Sequence, residues 1–399
     1  MNHHILKRID RQTALQFFKF LIVGCINTGL SLAVIYILQN GFDVKFYSFV
    51  PTKRAMRFGL PKHCSASIFV LMLPFLALCR IFNRSQQIKR LRINVQDYIT
   101  AWIMRKSDVV IAMSGDFVYA PRRAKKKGAL VIYERGSKHI LEQKRVMESI
   151  PSNKGVKPIP DVNVKRELES YVIADYIAIA SKHVYESFMI HNYPKEKLFV
   201  NPYGVELSDF YPDMTRQRNY DVIMIGGWSY RKGCDLIIEA INRTGYSFLH
   251  VGGLVDMEFP KMPNFTHHGI VDQKELINYY HQAKVFVLPS REEGLAMVQA
   301  QAVACNLPVV GSKDSGAEDL KRFVEQPDNI IIVEEFTAEA VVHALHEAME
   351  QYDKLGLTIY AGTAKEQLTW SSYGKRYTDF LKKILKHENT LNRPDGRVE

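Results

Sequence analysis

Residues 289–320, PSREEGLAMVQAQAVACNLPVVGSKDSGAEDL, bring a carboxylate, a glycine turn and a helix start close together in the chain. Glu293 can accept hydrogen bonds from hydroxyl groups. Gly294 frees the chain to turn and lets a ligand approach the backbone closely. The amides near Gly294, Leu295 and Ala296 stand where a helix begins and have no partner within it. Such amides form an anion site, which the helix dipole strengthens. The layout suits a charged diphosphate held against a helix N-terminus, with a hydroxyl-bearing group at the rim.

The elements that must position these residues follow from periodicity and punctuation. Residues 285–288 are apolar and β-branched at two positions, which predicts an interior strand ended by Pro289 and Ser290. The alanine-rich stretch 296–304 predicts a helix. Asn306 can adopt the left-handed conformation at its end, and Pro308 forbids continuation before the next strand, 307–311. Upstream, 220–225 predicts a strand and Gly226-Gly227 a turn. Residues 229–233 lead into a helix through Ala240. Strands are expected at 248–251 and 269–271, and a helix at 274–283. Alternating strands and helices imply a doubly wound sheet.

A second such run lies earlier. Strands are expected at 109–112 and 129–133, with a helix at 121–128. Glu134 to His139 sit at the C-terminal end of one strand, the edge where open α/β sheets bind ligands. Residues 212–219 form a polar linker. At the start of the chain, 18–24, 30–39 and 42–49 are expected as strand, helix and strand. Lys19, Asn27, Thr28 and Gly29 interrupt 17–38, so a βα unit is favoured there over a membrane span. Residues 67–82 carry Pro74 and Arg80 and predict an interfacial or core helix.

The motif run resembles the donor-site signature of the retaining, family-four (group 1) glycosyltransferases with the GT-B fold. Glu293-Gly294 matches their Glu-Gly pair, and Ser315-Gly316 falls on their Gly-Gly turn. Further pieces match in order from Asp97 to Leu385. The second acidic position of the signature is Gln301 here, and Asn306 stands where the family usually has Gly. The resemblance implies an α/β chain of two Rossmann-like domains facing across a cleft. Residues 1–212, with a crossover helix at 370–387, would bind the acceptor. Residues 213–369 would bind a nucleotide sugar.

The resemblance also assigns residues. Lys232 matches the Lys-Gly position that holds the donor diphosphate, with Arg231 beside it and Gly226-Gly227 as the preceding turn. Many relatives carry an Arg where Gly227 stands. Glu293 is expected to meet the donor sugar and Gln301 the ribose diol. An amide in place of a carboxylate weakens those bonds by on the order of 1 kcal/mol, which is tolerable. Arg135 and His139 fall near the position where the family often places a His by the reacting centre, and the sequence does not decide between them. The plainer readings are a solvated helix start at Arg231-Lys232, a rim carboxylate capping a helix at Glu293, and a surface or capping role for His139.

Composition bounds these expectations. At 399 residues, 47% hydrophobic and 24% charged, the chain can bury two separate cores. Five cysteines are scattered, with no CxxC pair. This argues against a disulfide framework or a zinc site and fits a reducing cytoplasm. No Asp-x-Asp pair is present for a divalent cation, so the expected enzyme needs neither metal nor cofactor. Residues 1–212 hold 32 Lys and Arg against 16 Asp and Glu, whereas the rest holds 21 against 26. Basic charge beside the apolar stretches 17–38 and 67–82 suits the anionic inner face of a cell membrane. No nucleic-acid-binding motif accompanies it.

The expected function is therefore retaining hexosyl transfer from a UDP- or GDP-sugar to a glycan or lipid-linked acceptor in cell-surface polysaccharide synthesis, such as lipopolysaccharide. A catalytically silent GT-B binding protein is the alternative, motivated by Gln301, Gly227 and the irregular opening. A hexose epimerase or a phosphorylase of the same fold is a further one.

Overall fold

The computed structural model describes residues 42–57, 60–82, 85–150 and 156–391, the side chains of 387–391 excepted. The expected strand 18–24 and helix 30–39 lie outside the described residues. The chain divides into two compact units. One holds the described residues up to Met104 and those from Tyr373 onward. The other is Arg105–Ser372.

In the first unit, β1 (Phe46–Ser48) and β2 (Ser65–Ser67) pair in parallel, with α1 (Thr52–Arg57) between them in sequence. The strand expected at 42–49 is thus shorter and, among the described residues, belongs to a two-stranded sheet. Val44 and Phe46 pack against a small cluster of Ala55, Leu60 and Cys64, which covers only this short segment. Helices α2 (Phe69–Ile81) and α3 (Gln86–Ile103) follow. Ser85 caps α3 by accepting from the Ile88 amide at 3.4 Å. Met72, Phe75 and Leu76 of α2 share a cluster with Val95 and Ile99 of α3. Among the described residues no helix is long and apolar enough to cross a membrane.

The second unit holds two parallel sheets. The first is built from β3 (Val109–Met113), β4 (Leu130–Arg135), β5 (Tyr176–Ile179) and β6 (Leu198–Val200), in that spatial order. Helices α4 (Tyr119–Lys125), α5 (Ile140–Ser149), α6 (Asp161–Ile173) and α7 (Lys182–Ile190) connect them. The second sheet contains β7 (Tyr220–Ile225), β8 (Phe248–Val251), β9 (Phe265–His268), β10 (Ala283–Leu288), β11 (Val309–Ser312) and β12 (Ile330–Val333). Its order is β12-β11-β10-β7-β8-β9. Helices α8 (Cys234–Thr244), α9 (Leu276–Tyr280), α10 (Met297–Ala304), α11 (Ala317–Leu320) and α12 (Ala338–Leu355) cover it, and α13 (Trp370–Leu391) ends the chain's described part. Strands buried on both faces need continuous apolar runs, and Val285 to Leu288 are fully buried. Truncating Phe286 there costs roughly 3–5 kcal/mol.

In the second sheet and its helices, three elements differ most from expectation. The strand expected at 269–271 is β9, Phe265–His268. Its Phe265 ring stacks on Phe248 at 5.5 Å and its His267 ring on Phe259 at 3.9 Å, so ring stacking makes a strand of a polar-looking stretch. The helix expected at 274–283 is a 3-10 turn, Gln273–Glu275, followed by the short α9. Ala283 instead opens β10, because it pairs with Tyr220 of β7. Ala296 is the cap of α10 rather than its first residue. Asn306 has φ 64°, the expected left-handed value. Its side chain explains why asparagine stands there: it donates to Thr358 O at 3.0 Å and accepts from the Tyr360 amide at 3.0 Å. A glycine could do neither.

Candidate functional site

Strand order reverses direction between β7 and β10. The chain leaves β7 toward β8 on one side and arrives at β10 on the other. A crevice opens at the C-terminal ends of two such strands, where open α/β sheets take their ligands. The loops that meet there are 226–233, after β7, and 289–296, after β10. Arg291 clamps them together. Its guanidinium reaches both Asp235 oxygens at 2.7 and 2.8 Å and the Tyr230 carbonyl at 2.6 Å. Such a bidentate pair fixes geometry as well as charge.

Within that clamp, Lys232 Nζ lies 2.8 Å and Arg231 Nη1 3.1 Å from Glu293 Oε2. Burial alone would raise the Glu293 carboxyl, but the two cations hold it down at about 2. The Lys232 side chain runs over Gly226, whose φ of 139° is open only to glycine. A methyl group added there would touch the Lys232 Cε, Cδ and Nζ atoms at 3.5–3.6 Å. Gly227 leaves room for Val255 in the same way. The structure thus gathers Gly226, Arg231, Lys232 and Glu293 in one place.

The helix start stands beside them. No side chain caps α10, but the Ala296 amide, expected to be open, is not: it donates to Ser315 O at 3.3 Å, because the 312–316 turn packs under the helix start. Ser315 also accepts from Gln299 Nε2 at 2.9 Å through its hydroxyl, so the Ser315-Gly316 turn braces the amide turn. Gln301 is buried and turned to Tyr280, 3.0 Å from its hydroxyl. That hydroxyl also lies 2.9 Å from Val298 O and has one proton. The hydroxyl donates to Gln301 Oε1 or to that carbonyl, one at a time, and a glutamate oxygen could accept from it in the same way.

Glu292, which sequence reasoning passed over, is the link between the two sheets' lobes. It is 1% exposed. One oxygen accepts from the Ser137 hydroxyl and, at 3.3 Å, from the Lys138 amide. The other accepts from Gln143 Nε2 at 3.2 Å and lies 3.6 Å from Arg231. Lys138 and Asp314 add an ion pair at 2.8 Å. Gly294 passes so close to the Gly136 carbonyl that any Cβ would overlap it, which excludes every other residue at that crossing. The only sequence signal for Glu292 was its place beside Glu293.

Arg135 and His139 do not join this group. Arg135 is buried, donating to Lys138 O at 2.7 and 2.9 Å and to Gln143 at 2.8 Å, and it pairs with Glu167 at 3.0 Å. It shapes the 135–139 loop that meets Glu292. His139 caps α5 and lies in an aromatic cluster, 4.2 Å from His191 and 5.0 Å from both Tyr171 and Phe188. Burial, then His191 and Arg135, push its pKa down to about 3, so the ring is neutral. Among the described residues, no group of three or more His, Cys, Asp or Glu could hold a metal ion.

Residues 219–351 match the family model described as glycosyl transferases group 1. The chain is 24% identical over 249 residues to a probable sucrose-phosphate synthase of Thermosipho melanesiensis, covering 56% of this chain and 57% of that one. It is 25% identical over 170 residues to a human phosphatidylinositol N-acetylglucosaminyltransferase component, covering 39% and 34%. The chain thus spans between a third and three fifths of these two relatives' lengths. Among solved structures, Anabaena HepE in complex with UDP-glucose superposes with a TM-score of 0.61 at 13% identity, over 90% of this chain and 96% of that one. At that identity the likeness shows the fold, a two-domain α/β architecture of the GT-B kind.

Proposed function

We propose that this chain transfers a hexose from a UDP- or GDP-sugar, with retention and without a metal ion, to a lipid-linked or oligosaccharide acceptor in cell-surface polysaccharide synthesis. The observation that carries the reading is the meeting of Lys232, Arg231 and Glu293 before the start of α10, at the strand-order reversal. Lys232, Arg231 and the helix amides neutralise the leaving diphosphate. Glu293 accepts from the donor sugar's hydroxyls and stabilises positive charge growing at the anomeric carbon. The bond from that carbon to the diphosphate oxygen breaks while the bond to the acceptor oxygen forms on the same face. The acceptor's proton passes to the departing diphosphate, so no strong protein base is required. The β7–β12 lobe serves the donor. The β3–β6 lobe serves the acceptor, with Arg135 and His139 shaping its loop.

The acceptor's lipid, in this reading, brings the chain to the anionic inner face of a membrane. Helix α2 supports that. Val70 and Ile81 are 73% and 71% exposed, Leu71 and Leu73 are exposed beside them, and Arg80 is its one charged residue. Apolar side chains in such a helix bury into the lipid interface, and nearby basic residues add attraction.

The silent-protein reading has one observation in its favour, the engagement of Gln301 with Tyr280 rather than with an open crevice. A donor screen with purified protein and a mixed lipid acceptor, read by mass, separates the two. Transfer that Lys232→Ala and Glu293→Ala each reduce by about a hundredfold or more supports catalysis. Tight nucleotide binding with neither hydrolysis nor elongation supports the silent binding protein.

A further inference from the structure

Two side chains at the start of α7 reach across to the backbone of the Glu293-Gly294 turn. Ser181 Oγ donates to Gly294 O at 2.8 Å. His183 Nε2 lies 2.8 Å from Glu293 O, and its Nδ1 lies 3.0 Å from Ser181 Oγ. Carbonyl oxygens only accept, and a serine hydroxyl has one proton to give. Making all three contacts at once therefore requires a proton on each ring nitrogen. A neutral ring satisfies two of the three.

We propose that Ser181 and His183 form a strap that positions the Glu293-Gly294 turn against the other lobe for transfer, and that it is a latch of limited strength, because a neutral His183 leaves one contact unmade. The proposal rests on reading this turn as the donor site. Both residues act through the turn's backbone, so they are positioning residues. The Glu293 and Gly294 carbonyls, each held at 2.8 Å, fix the directions of the Gly294 and Leu295 amides and the backbone that carries the Glu293 carboxylate. Small displacements at such a point are felt strongly in the rate. A latch that is incomplete also releases readily when the lobes must part for product to leave.

The charged groups facing the ring come from three elements. Lys138, on the loop after β4, opposes a cation there. Asp314, on the loop after β11, and Asp319, on α11, favour one. Asp319 is itself held by the Lys182 amide at 3.0 and 3.1 Å. Burial is the largest influence and, with Lys138, keeps the His183 pKa below its ordinary value. The sign follows from linkage. A second ring proton would complete the three contacts, but burial and Lys138 outweigh that gain, so the proton binds more readily once the ring is back in water. The closed strap is therefore favoured above about pH 6.5 and is lost as the pH falls through the lowered pKa.

The test compares the wild-type chain with His183→Gln, His183→Ala and Ser181→Ala, each assayed for kcat and KM from about pH 5 to 8, the range in which histidines titrate. The glutamine amide still donates to Glu293 O but carries no charge at any pH. The strap predicts an acid limb in the wild-type kcat that His183→Gln abolishes, with the donor KM within about twofold of wild type. His183→Ala loses on the order of tenfold to a hundredfold in kcat. An acid limb unchanged in His183→Gln, a flat wild-type profile, or wild-type kcat in His183→Ala overturns the proposal. Equal loss of thermal stability in both histidine variants with the limb retained overturns it too, since packing alone would do that. If no donor supports turnover, the donor-site reading fails, and imidazole NMR then judges the strap separately. A ring titrating below about 6.5 with its Nε2 proton protected from exchange keeps the strap, and free titration near 6.5 removes it.

Discussion

The Lys232 ammonium donates to the Glu293 carboxylate across 2.8 Å, from loops 61 residues apart. A diphosphate that takes Lys232 must therefore win it from Glu293. Arg231 stays on the same Glu293 oxygen at 3.1 Å, so the carboxylate keeps one cation when Lys232 turns away. On the proposed reading, binding of the donor's two halves is coupled through this Lys232–Glu293–Arg231 group.

The same pair sets an acid limit on stability. The Glu293 pKa in the folded chain is about 2, below the ordinary carboxylate value near 4.5. A depressed acid stabilises the fold above its unfolded pKa, and that contribution is lost as the pH falls through the folded one. Wild type should therefore exceed Glu293→Gln in urea midpoint at about pH 5, and the gap should close as the pH approaches about 2. A gap independent of pH would mean that the ion pair does not govern this carboxylate.

Removing Glu292 should be costlier than removing its neighbour. Its two oxygens gather Ser137, the Lys138 amide, Gln143 and Arg231, and Glu292→Ala leaves these buried donors facing each other. The expected loss is on the order of 3 kcal/mol in urea unfolding, with faster proteolysis of the 135–139 loop. A loss under about 1 kcal/mol, the scale of an exposed pair, would show that the lobes hold together by other means.

Gln301 offers a cleaner comparison. Gln301→Glu alone should not tighten UDP binding, because the Tyr280 hydroxyl can donate to the new carboxylate as it does to Gln301 Oε1 and keep it turned inward. Combined with Tyr280→Phe, the carboxylate is released, and UDP affinity measured by calorimetry should rise by up to about tenfold. Tighter binding in the single variant would place Gln301 already at the ribose.

Membrane contact through α2 can be read in a sedimentation assay. The double change Val70→Glu and Ile81→Glu should lower pelleting with anionic vesicles by about tenfold, each charge having to leave the apolar interface. Because both positions are exposed, the thermal midpoint should hardly move. Undiminished pelleting would remove α2 from the contact.

Much of the donor side could be read from short stretches. Glu293, Gly294 and the uncapped start of α10 are contiguous, and the left-handed Asn306 follows from residue type and the proline after it. Local patterns failed where long-range packing chose the structure. The strand expected at 269–271 lies instead at Phe265–His268, where pairing with β8 and the Phe259 ring set it. The helix expected through Ala283 stopped early because Tyr220, far back in the chain, pairs with it.

By itself, the order of residues determined which segments turn, which helix begins without a side-chain cap, and which carboxylate stands at that start, since these depend on neighbours a few bonds away. Only the folded chain decided that Glu292 would bind the opposite lobe, that His139 would be walled in by Tyr171 and Phe188, and that His183 would reach the Glu293 carbonyl. Those contacts join residues separated by up to 155 positions. At such separations partners are selected by how two finished layers pack, and nothing in either stretch alone encodes the other's position.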